Sequence, residues 1–97
     1  MVKVKNLGGT GPKDCRCGSW KQHWIKNSIM EWPKYCTAIG CTEAAREGGH
    51  VKKVRSTDNN HYIIPICYSH NALGEDKEYD VSEIYFVSAN RSATCDK

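Results

Sequence analysis

The side chains in this chain best suited to holding a metal ion or moving a proton are six cysteines and four histidines among 97 residues. Cys36 and Cys41 flank the short loop "TAIG", which carries Gly40, and Cys67 and His70 follow as "CYSH" directly after the apolar run "YIIPI". A tight glycine-bearing turn can aim two thiolates at one point, and residues three apart on a helix share a face. Zinc takes four nitrogen or sulfur ligands in a tetrahedron at about 2.0–2.3 Å, so Cys36, Cys41, Cys67 and His70 make a candidate structural zinc site. The competing account is buried or disulfide-bonded cysteines beside an incidental histidine, and the spacing favours zinc.

Cys15, Cys17 and Cys95 are left over, and three cysteines cannot pair among themselves. With His23 they would complete a second Cys3His site, because His23 lies one turn into the helix expected after "CRCGS". Such a site would clamp that helix to the chain's tail, so one or two zinc ions are expected. Two alternatives stay open. Cys15 or Cys17 could bridge to Cys95 beside a single zinc, or all six cysteines could form three disulfides in one of fifteen pairings. The last requires an oxidising compartment, and no apolar leader is visible in "MVKVKNLGGTGPKD". The expectation is therefore a cytoplasmic, reducing setting, in which cysteines more often ligate metal.

The elements that must position these ligands follow from local signals. Ser19 and Gln22 stand in capping-box relation, while Trp20 with Trp24 and Ile25 with Ile29 lie four apart, which predicts a helix over 20–30 that ends before Pro33. The three tryptophans interleaved with lysines could stack bases, but helical spacing reads better as core. A strand from His50 to Val54, the turn "STDNN" and a second strand "HYIIPIC" make a hairpin. "CYSHNAL" reads as a short helix closed by Gly74, "GEDKEYD" as a solvated acidic loop, and "SEIYFVSA" as a late strand. Twenty-five residues separate Cys41 from Cys67, enough for the hairpin to fold back. Knuckle, hairpin and helix in this order are the treble-clef arrangement. The expected fold is thus α+β, a small zinc-stabilised treble-clef core with an N-terminal helix and a C-terminal strand. Residues 1–14 form a flexible segment in this reading, and 15–97 a single zinc-binding domain.

"GGHVKKV" and "HYIIPICYSHN" resemble the core of HNH-type treble-clef zinc domains over roughly residues 35–74. The wider pattern, "CGSWKQHW" before and "VSANRSATC" after, is similar to small uncharacterised zinc-finger-like proteins. The HNH resemblance implies a general-base histidine at His50 and a catalytic-metal residue at Asn71, hence a divalent-metal-dependent nuclease as the enzyme alternative. The chain departs from that pattern in several places. Gly49 stands where an acidic residue is common, Asn59 and Asn60 lie too early in the turn, and Gly74 and Glu75 replace a helical His or Lys. A degenerate, structural scaffold is the better reading. His50 then is a satisfied, partly buried residue or an auxiliary metal ligand, and His61 is solvated.

Bulk composition agrees. A net charge of +3, one Phe, three Trp and five Tyr give a thin core and a mildly basic surface. Mean hydropathy is −0.64. A thin core of this size calls for a metal or covalent staple. Lys52, Lys53 and Arg55 could contact phosphate, although a solvated edge-strand face is the plainer account. No stretch is long enough to cross a membrane. No phosphate-cradling glycine loop and no nucleophile in a His-Asp setting is present, and no small-molecule cofactor is indicated. The function expected is a non-catalytic zinc module that binds protein or nucleic acid.

Overall fold

Valine and lysine alternate in "VKVKN", so one side of an extended segment can be apolar and the other solvated. The computed structural model, which describes residues 1–7 and 19–89, makes strand β1 of Val2–Asn6. β1 pairs antiparallel with β2 (Glu47–Lys53) on one side and β4 (Glu78–Val81) on the other. This corrects the expectation that residues 1–14 form a flexible segment: residues 2–6 are an inner strand of the sheet. Val4 is fully buried and Asn6 nearly so. β4 likewise corrects the reading of "GEDKEYD" as wholly loop. Tyr79 and Val81 turn inward there, while Glu78 is exposed and Asp80 half-buried.

The expected hairpin is present and longer at its start. β2 pairs with β3 (His61–Ile66) in the register His50 opposite Ile63 and Lys52 opposite His61. A two-residue strand β5 (Val87–Ser88) closes the far edge after a 3-10 turn at Glu83–Tyr85, so the late strand is shorter than "SEIYFVSA" suggests. Among the described residues the result is an α+β domain with a five-stranded antiparallel sheet, ordered β4-β1-β2-β3-β5, and two short helices.

Helix α1 (Trp20–Asn27) begins where the sequence indicates, with the Ser19 side chain accepting the Gln22 N–H at 3.1 Å. It ends three residues earlier than expected. Asn27 donates to the His23 carbonyl, and the Ser28 hydroxyl accepts the Met30 N–H. These local bonds offer the backbone an alternative to another helical turn. Ile29 therefore lies outside the helix and exposed, and Ile25 is also exposed, whereas Trp20 and Trp24 are core.

The sheet has two covered faces, and strand alternation decides which residue serves which. Val51, Ile64 and Ile66 join Val4, Tyr79, Val81, Cys36 and Cys67 on one face. Ile63 and Val87 pack against Trp20 and Trp24 of α1 on the other. Helix α2 (Tyr68–Asn71) follows β3 immediately. Among the described residues no helix is long and apolar enough to cross a membrane.

The hairpin turn is tied by a carboxylate. Asp58 accepts the Tyr62 hydroxyl at 2.6 Å and the Asn60 N–H at 2.9 Å, and pairs with Lys53 at 3.2 Å. The Tyr62 bond first, then the Asn60 amide and the lysine, pull its acidity from 3.8 to about 2. A depressed carboxyl adds stability that is complete above its ordinary range and lost as pH falls through about 2. In an NMR titration the Asp58 carboxyl should therefore titrate well below the other acids. Tyr62→Phe should move it back toward the ordinary value, and an unchanged Asp58 titration in that variant would refute the assignment.

Candidate metal centre

Two segments carry the candidate ligands, and the backbone pins both. In the first, the Cys36 N–H donates to the Glu43 carbonyl, and Thr37 donates to the Pro65 carbonyl through both its N–H and its hydroxyl. The Cys41 N–H closes the turn on the Ala38 carbonyl at 3.0 Å. Gly40 takes φ +81° there, a conformation L side chains resist, which is why glycine stands in the knuckle. In the second segment, Cys67 is the N-cap of α2 and its sulfur accepts the His70 N–H at 3.4 Å.

The ligand atoms of Cys36, Cys41, Cys67 and His70 all lie within 4.8 Å of one another. His70 Nδ1 is 3.2 Å from the Cys67 sulfur and 3.7 Å from that of Cys36, and the Cys41 and Cys67 sulfurs are 3.9 Å apart. A tetrahedron with zinc–sulfur bonds of about 2.3 Å has sulfur–sulfur edges of about 3.8 Å, so these separations are close to the edges of a zinc tetrahedron. This Cys3His group can hold one metal ion, and its thiolate-rich donor set suits zinc.

The thiols are not alike. Burial pushes Cys36 up to about 12, against the pull of the Ala38 and Cys67 amides. Burial also acts on Cys67, but the His70 amide and ring and the two neighbouring thiols outweigh it and bring it to about 7. Cys67 is thus the readier of the two to ionise, and Cys36 the more reluctant.

Asn6 supports this centre from the far end of the chain, and the sequence reading missed it. Its side-chain amide donates to the His70 carbonyl at 2.7 Å and the Leu73 carbonyl at 3.0 Å, closing the C-terminal end of α2. The Tyr79 hydroxyl in turn donates to Asn6 Oδ1 at 2.6 Å, and the Tyr79 ring lies against His70 at 5.0 Å. A burial-driven rise keeps that phenol protonated as the donor. The only sequence signal was the inward phase of "VKVKN", which places Asn6 with the valines.

The remaining candidates separate. His23 is fully buried, and its Nε2 lies 2.7 Å from the Ser88 carbonyl, which can only accept. Cys15, Cys17 and Cys95, its expected co-ligands, lie outside the described residues. His50 and Asn71 do not share a site. His50 sits with Ile63 on the α1 face of the sheet, with its ring 5.1 Å from Trp20. Asn71 donates to Glu47 and lies beside Gly49 on the opposite face. Lys52, Lys53 and Arg55 are likewise split. Lys53 turns inward to Asp58 and Glu83, with its side chain 19% exposed. Lys52 points to the other face, beside Lys5. His61 is exposed as expected, yet its ring is 3.0 Å from that of His50.

Comparison with known protein families, curated proteins and solved structures returns no match for this chain.

Proposed function

We propose that this chain is a small zinc module of treble-clef type whose metal is structural and whose role is to bind nucleic acid without cleaving it. The observation that carries the zinc reading is the convergence of the Cys36, Cys41, Cys67 and His70 ligand atoms within 4.8 Å of one another. The order of parts supports the treble clef: a glycine-bearing knuckle, the β2–β3 hairpin, then a helix whose N-cap and third residue are ligands. A second zinc at Cys15, Cys17, His23 and Cys95 belongs to the same proposal. In its support, His23 is fully buried and its Nε2 is held 2.7 Å from the Ser88 carbonyl, the outer-shell contact a ligating imidazole commonly makes.

The nucleic-acid reading comes from the α1 face of the sheet. Lys5 stands directly opposite Lys52 across β1 and β2, and like charges in that position cost stability. Together with Arg55 they line an open groove of about 400 Å³. A phosphate backbone offsets that repulsion. The nuclease alternative with His50 and Asn71 lacks support, since the two lie on opposite faces.

Bound zinc per chain tests the first part: a value near two fits both sites, near one leaves only the described centre, and near zero overturns the proposal. For the second part, anisotropy titrations with DNA and RNA oligonucleotides across about 50–200 mM salt should show steep salt dependence. Lys52→Glu and Lys5→Glu should each weaken binding for all sequences alike and reduce the salt slope by about one. Equal binding by both variants would exclude this face. Plasmid cleavage with magnesium or manganese that disappears in His50→Ala would restore the nuclease.

A further inference from the structure

The geometry points to a second kind of metal site on the α1 face: His50 Nε2 and His61 Nδ1 form a bidentate pair for a divalent first-row ion of square or octahedral preference. The two nitrogens are 3.0 Å apart. With metal–nitrogen bonds of about 2.0–2.1 Å, cis ligands at a right angle lie about 2.9 Å apart, whereas tetrahedral ligands lie about 3.4 Å apart. The observed separation fits the right angle. Such a site suits copper(II) or nickel(II), while the thiolate-rich tetrahedral centre suits zinc.

The pair is preorganised by the fold. His50 and His61 are diagonal neighbours on the same face of the hairpin, since His50 stands opposite Ile63 and His61 opposite Lys52. The His50 ring is wedged edge-on against Trp20 at 5.1 Å, so one ligand is held from the core side. His61 supplies the other from the solvent side. The rings border an open cleft of about 220 Å³ that Asn59, Asn60, Ser88 and Ala89 also line. The cleft has room for water ligands between the two rings and the two asparagines. Lys52, directly opposite His61 on this face, opposes a cation and limits the affinity.

This site does not depend on the Cys3His reading and can be tested separately. Full-length protein loaded with zinc is titrated with nickel(II), while released zinc is measured. One nickel per chain should bind with only the weak absorption of a nitrogen and oxygen environment, and no zinc should leave. His61→Ala, at an exposed position that leaves the core untouched, should weaken binding by more than about 100-fold, beyond what loss of an outer-shell partner costs. Lys52→Ala should tighten it by about threefold. Copper(II) should bind more tightly than nickel(II), and cobalt(II) less tightly. Absence of nickel binding, equal binding by His61→Ala, or an intense thiolate-to-nickel band with zinc release would each overturn the site and leave the two rings a hydrogen-bonded pair.

Discussion

Chelating the metal at neutral pH, or replacing Cys67 with serine, is expected to abolish the cooperative thermal transition of this domain. Cys67 is the hub of the centre, within reach of the other two thiols and of His70, and it also caps α2. The core on that face is small. It holds Val4, Val51, Ile64, Ile66, Tyr79 and Val81, and it closes over the ligands themselves. Structural zinc contributes an apparent 10–16 kcal/mol at about neutral pH, as much as the whole net stability of an ordinary domain. Without the ion, three cysteine sulfurs and an imidazole remain crowded within 4.8 Å with no cation to hold them together. Far-UV circular dichroism and calorimetry, with and without chelator, read the result. A metal-free chain that melts within a few degrees of the zinc-loaded one would show that the site does not hold the fold.

The same centre predicts a pH dependence with a definite sign. Zinc binds thiolates, so each thiol still protonated in the metal-free protein must release its proton on binding. Cys36, held at about 12 by burial, does so across the whole working range. Cys67, lowered to about 7, adds a second proton only below neutrality. As pH is lowered, these two groups reduce zinc affinity about tenfold per unit above 7 and about a hundredfold per unit below it. Acid should therefore release the ion first and unfold the chain as a consequence.

What the sequence disclosed and what it hid divide along a physical line. Cys36, Cys41, Cys67 and His70 were legible because ligand chemistry admits few residue types and the two spacings are local. Ser19 was legible as a cap for the same reason, and so were the hairpin strands around "STDNN". β1 and β4 were not, because each is short, two of its residues are charged, and its apolar residues have meaning only beside a strand some fifty or more residues away in the pairings Val4–Lys53 and Val2–Val81. Asn6 was hidden with them. The split of Lys52 from Lys53 followed from period-two alternation and could have been read, had the inward face of β2 been fixed. That face is set by Gly48 and Gly49, whose meaning depends on what packs over them.

Gly48→Ala is expected to be the most damaging single-methyl change outside the metal ligands. A Cβ there would lie 2.5 Å from the Trp20 carbonyl carbon, 2.6 Å from the Lys21 nitrogen and 2.8 Å from the Trp20 oxygen. These are backbone atoms of the first turn of α1, so no side-chain rotation relieves the clash and the helix must retreat from β2. That retreat loosens Trp20 and Trp24 from Ile63 and Val87, and strains the bond from the Trp24 indole to the Tyr85 carbonyl. Overpacking usually costs about 1–3 kcal/mol, and a clash against fixed backbone belongs at or above the top of that range. Gly49→Ala offers the internal comparison. Its Cβ would meet Ile66 at the end of its side chain, on the opposite face, at 2.2 Å. Ile66 is fully buried but can change rotamer, so the loss should be smaller and should leave the tryptophans undisturbed. Denaturant melts followed by tryptophan fluorescence separate the two. If Gly48→Ala matches the parent in stability and emission, α1 does not rest on β2 as described, and the second core loses its basis.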